Sequence, residues 1–89
     1  MAQVVAHDGS RLLLSTRSAA PYPDRPVVNY GRVLDLRRLV VWPEMYLESL
    51  LGHGQWEPLD DPVPAERLLA MARPVDLRHY ANPQRRGPR

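Results

Sequence analysis

Apolar residues first cluster in QVVAHDGSRLLLS, at 3–15, where two short apolar runs flank an Asp-Gly pair. That arrangement predicts an antiparallel hairpin with a two-residue turn, because Asp and Gly tolerate the positive φ angles such turns require. With Asp8 and Gly9 at the corner, Val5 faces Leu12 and Val4 faces Leu13, so both faces of the hairpin carry apolar side chains. A hairpin of this kind needs cover on both sides, from the rest of the chain or from another chain.

Farther along, SAAPYPDRP at 18–26 places three prolines in nine residues and predicts an extended, proline-rich loop, with Tyr22 packed over its own domain. VVNYGRVLDLRRLVVW at 27–42 mixes two periods. Its ends, 27–30 and 39–42, are β-branched or aromatic and read as strands, on either side of a turn or short helix around 35–38. PEMYLESLLG at 43–52 reads as a helix: proline suits the first helical position, Glu44 lies in the first turn, and Gly52 is placed as a left-handed cap. On that helix Tyr46, Leu47, Leu50 and Leu51 share one face, with Glu44 and Glu48 on the other.

EPLDDPVP at 57–64 reads as a rigid connection, and PAERLLAMAR at 64–73 as a second helix with Leu68, Leu69 and Ala72 along one side. VDLRHY at 75–80 is a candidate edge strand. The fold expected is therefore a small α+β domain over 1–81, with an N-terminal β-hairpin, one or two further strands and two short helices. A flexible, arginine-rich tail, NPQRRGPR, follows at 82–89.

Composition narrows the function classes. Eighty-nine residues hold one domain, and a chain of this size buries only roughly 60–65% of its unfolded surface, so its stability is thin and a deep cofactor cleft is not expected. Without cysteine there are no disulfides, thiolate zinc sites or thiol nucleophiles. No apolar run nears the roughly 20 residues of a membrane-spanning helix, so no membrane partner is expected. The location expected is cytoplasmic; the alternative is the mitochondrial matrix, since RLLLSTRSAA at 11–20 has the composition of a presequence.

Charge comes in blocks. Six arginines and two acids occupy 11–38, six acids and no base occupy 39–66, and six arginines and one acid occupy 67–89. Either the acidic middle folds between its basic flanks, or one block is offered to a partner. All twelve basic residues are arginine, which would suggest phosphate recognition, but the absence of Lys, Ile, Phe and Cys is the bias a GC-rich genome imposes.

Candidate chemistry is sparse. His7, His53 and His79 have neither the helical nor the strand spacing of a metal pair, and His53 with Glu57, Asp60 and Asp61 forms a ligand set only if the 52–61 loop curls round an ion. No nucleophile elbow or phosphate-cradling glycine loop is present. The expectation is thus no enzyme, no catalytic residue, no metal and no cofactor. An enzyme or metal-binding protein stands as the last alternative.

Two binding readings remain. The first is a non-catalytic protein-interaction module, an accessory or adaptor subunit whose partner is another protein chain or a second copy of itself; Trp42, Glu44, Tyr46, Glu48 and Trp56 are the candidate contacts. The alternative is sequence-tolerant RNA binding, or contact with another polyanion, through Arg78, Tyr80, Arg85, Arg86 and Arg89, which combine phosphate neutralisation with a stacking ring.

Overall fold

In the computed structural model, residues 1–75 are described, and they are dominated by one mixed sheet of seven strands with two short helices. Its elements are β1 (Gln3–Asp8), β2 (Arg11–Ala19), β3 (Val28–Asp35), β4 (Val40–Val41), β5 (Met45–Tyr46), α1 (Leu47–Leu51), β6 (Glu57–Pro64), α2 (Glu66–Met71) and β7 (Arg73–Pro74). Across the sheet the order is β6-β1-β2-β3-β4-β7, with β5 paired to β3 beside β4. Every pairing is antiparallel except β4 with β7.

The turn of the N-terminal hairpin forms one residue farther along the chain than expected, which shifts the pairing next to it by two residues. Asp8 pairs with Arg11, so the turn residues are Gly9 and Ser10 rather than Asp8 and Gly9. Gly9 has φ 60 while Ser10 has no positive φ, which is the pattern of a turn with glycine at its first central position. His7 therefore faces Leu12 and Ala6 faces Leu13; a bulge at Val5 then restores Val4 opposite Leu14.

Both faces of the hairpin are buried, as its pattern requires. On one face Val4 and Leu14 join Ala2, Leu34, Val41 and Ala65, covered by Leu59 of β6 and by Leu68, Leu69 and Ala72 at α2. On the other, Ala6 and Leu13 join Val33, Trp42 and Leu50, covered by Met45, Leu47, Trp56 and Val75. The chain supplies its own cover on both sides. Burying these side chains is the main favourable term, at about 1.5–3 kcal/mol for each large one.

The rest of the sheet is larger than its sequence pattern suggested. β3 runs through to Asp35, and the following four-residue loop closes with Leu39 at φ 55, while the buried Asp35 carboxylate accepts from the backbone N–H groups of Arg37 and Arg38. The 57–64 segment is a strand, not a connection. Its three prolines are compatible with pairing because β6 lies at the sheet edge, where a missing N–H facing outward breaks no ladder bond. Four residues, 59–62, bulge out between its two paired ends, opposite Val5.

The helices are shorter than expected. Residues 43–46 do not join α1: Met45 and Tyr46 pair with Gly31 and Tyr30 as a strand, and Gly52 ends the helix at φ −78, not in the left-handed conformation. Tertiary pairing to β3 outweighs the N-terminal helix signals here. The proline-rich loop begins at Ala20, since β2 runs through Ala19, and it turns with the Arg25 N–H donating to the Tyr22 carbonyl oxygen. Tyr22 does not pack down as expected but is 65% exposed. The expected edge strand at 75–80 and tail at 82–89 lie outside the described residues, apart from Val75.

Candidate functional site

Of the five residues expected to contact a protein partner, three are engaged internally. Trp42 is 3% exposed and lies in the core between α1 and the sheet, with the His53 ring edge-on to it at 5.4 Å. Trp56 packs half-buried against the same core, and its indole Nε1 donates to the Leu50 carbonyl oxygen at 3.0 Å, tying the end of α1 to the start of β6. Both are core fillers, the role open to large rings in a chain without phenylalanine.

Glu44 does not stand on an acidic helix ridge beside Glu48. It precedes β5, and its carboxylate accepts from the Thr16 hydroxyl at 2.6 Å and from Arg17 Nε at 2.9 Å. The Thr16 hydrogen bond holds its pKa below the ordinary value near 4.5; desolvation opposes this, and Arg17 and Arg32 reinforce it. Glu44 thus fastens β5 to β2 across β3.

Tyr46 and Glu48 remain at the surface, and they share one groove. Its walls are Val28 and Asn29 of β3, Tyr46 of β5, and Leu47, Glu48 and Leu51 of α1, enclosing about 530 Å³. Tyr46 is 48% and Leu51 52% exposed, so half of each side chain is apolar surface in water. The helix can approach β3 this closely because residue 31 is glycine. A Cβ there would strike the Leu14 carbonyl oxygen and lie 2.6 Å from Leu47 Cδ1. Gly31 escaped the sequence reading, though a glycine inside a strand pattern is the signal for such an approach.

One wall of the groove is stiffened by a cross-strand row. Arg17, Tyr30 and Tyr46 lie in register on β2, β3 and β5; the Arg17 guanidinium sits 4.1 Å over the Tyr30 ring, and the two tyrosine rings are 5.4 Å apart. Beyond Tyr30, no strand among the described residues lies on the β5 side of β3 at Val28 and Asn29, because the chain leaves β5 for α1.

The remaining polar residues fill structural roles. Asp8, displaced from the turn corner, accepts from Arg11 Nη2 at 2.7 Å and from the Gln55 backbone N–H at 3.1 Å, and Arg11 lies 5.0 Å over the Trp56 ring. The Arg11 and Gln55 hydrogen bonds lower its pKa, and they pin the 52–56 loop to the hairpin. In a second hollow, bounded by Asp8, Gly9, Ser10, Arg11, Asp35, Arg37 and Arg38, the Asp8, Arg11 and Asp35 side chains are engaged in hydrogen bonds, the Asp35 carboxylate with the backbone N–H groups of Arg37 and Arg38.

The four conceivable metal ligands are not brought together. His53 lies against Trp42, Glu57 faces His7 at 3.4 Å, and Asp60 and Asp61 sit on the β6 bulge. Among the described residues no group of three or more His, Asp or Glu side chains converges, and no helix is long and apolar enough to cross a membrane. Arg78, Tyr80, Arg85, Arg86 and Arg89, the expected nucleic-acid contacts, lie outside the described residues.

The class defined by fold and groove is a small, sheet-dominated domain with a core on each face and one partly apolar cleft at a sheet edge. No protein-family model, curated protein or solved structure matches the chain.

Proposed function

We propose that this protein is a non-catalytic interaction module, an accessory or adaptor subunit that holds another protein at the groove between α1 and β3. The observation that carries this reading is the half-exposure of Tyr46 and Leu51, side by side in one groove on a helix-and-sheet frame whose own core takes up Trp42 and part of Trp56. Half-exposed aromatic and aliphatic anchors on preorganised elements are what an interface uses, since they bury further area at little entropic cost. The contact set is thus Val28, Tyr46, Leu47, Glu48 and Leu51, with Trp42, Glu44 and Trp56 supporting the frame.

The test is recovery of partners with the tagged full chain at low salt, with and without nuclease, for the wild type and for Leu51→Arg. Proteins enriched by the wild type, retained after nuclease and lost with the folded variant support the reading. Equal recovery by both chains overturns it. Recovery that nuclease abolishes and the variant leaves unchanged overturns it in favour of RNA or another nucleic acid.

A further inference from the structure

We infer that the groove takes an extended segment of the partner, carrying an apolar side chain with an arginine or lysine nearby, laid along β3 beside Val28 and Asn29. This rests on the interaction-module reading above and specifies what that module holds.

Three features converge on such an occupant. β5 is two residues long and pairs only with Tyr30 and Gly31, so among the described residues no strand covers Asn29 on that side of β3; its main-chain groups face outward there, while those of Val28 face β2. The outer edge of the sheet at β6 offers no comparable template, because Pro58, Pro62 and Pro64 interrupt it. Directly beside the open edge, Val28, Leu47, Leu51 and the Tyr46 ring form an apolar slot. A strand sends alternate side chains to opposite faces, so one residue of an added segment enters the slot while its neighbours point away.

Charge sets the rest of the preference. Glu48 is the one charged side chain lining the groove, and it forms no ion pair among the described residues, whereas Glu44 nearby is consumed by Thr16 and Arg17. An arginine or lysine on the incoming segment finds its complement in Glu48 at the rim; an acidic residue there is repelled.

Selection from a displayed library of random nine-residue peptides tests this, with the full-length wild type and Glu48→Arg as parallel baits. The wild type is expected to enrich peptides with an aliphatic or aromatic residue and an arginine or lysine within two positions; Glu48→Arg is expected to enrich acidic residues at that place. A selected peptide should bind Leu51→Arg at least tenfold more weakly and slow amide exchange at Asn29. No enrichment, the same peptides on both baits, or unchanged exchange at Asn29 overturns the inference.

Two further outcomes separate this inference from the reading beneath it. If a recovered partner depends on Leu51 but no peptide displaces it, the groove serves a folded surface and only the extended-segment inference falls. If the protein alone sediments as a dimer that Leu51→Arg dissociates, a second copy occupies the groove and the inference falls as well.

Discussion

At the residue scale, four residues divide cleanly between frame and surface. Replacing Trp42 by alanine empties a buried site and is expected to cost about 3–5 kcal/mol, a large part of the stability of a domain this small, so thermal or urea melts should show partial or complete unfolding. Tyr46→Ser, by contrast, removes a half-exposed ring and should leave the fold intact while weakening partner binding. Gly31→Ala forces a methyl group against the Leu14 backbone and Leu47; urea denaturation should register a loss of about 1–3 kcal/mol. Glu44 has a pH signature. Its pKa is depressed in the folded chain, so its contribution is complete above the unfolded value near 4.5 and is lost as pH falls through the lower folded value. Glu44→Gln should therefore flatten the acid limb of a stability profile below about pH 4.5, with little change in slope near neutrality.

At the element scale, the β6 edge is a point of control. Replacing Pro58, Pro62 and Pro64 together by threonine restores outward N–H groups on an exposed strand, and the expected result is concentration-dependent self-association visible by light scattering. The same strand shows why parts of the fold were not legible. Proline argues against a central strand, and sequence alone did not say that 57–64 would fall at an edge. The hairpin was legible from its Gly-containing turn, but Asp8-Gly9 and Gly9-Ser10 are both permitted corners, and pairing with β3 and β6 decides between them. For α1 the start signals at Pro43 and Glu44 were real helix propensities outweighed by β5 pairing and by the Glu44 bonds to Thr16 and Arg17. Half of the groove was legible, since Tyr46 and Glu48 stood out on an amphipathic pattern. Val28 and Asn29 did not, because only the topology brings them beside α1.

At the scale of the whole molecule, the two-sided hairpin at the centre of the sheet organises everything else. It demanded cover on both faces, and α1 with the tryptophans on one side and α2 with Leu59 on the other provide it within a single chain. The need for a second chain to complete the core therefore disappears. In the proposed reading, the surface offered to a partner is the groove between α1 and β3, with its half-exposed Tyr46 and Leu51 and its single carboxylate. The acidic middle of the sequence is divided accordingly: Glu44 accepts from Thr16 and Arg17 and Glu66 from the Ala2 backbone N–H, whereas Glu48 faces outward. The most direct test of this division is calorimetric titration of a recovered partner into the wild type and into Leu51→Arg, both verified as folded. A loss of tenfold or more in affinity with the variant is the predicted result, and an affinity unchanged within error would contradict the assignment of the groove.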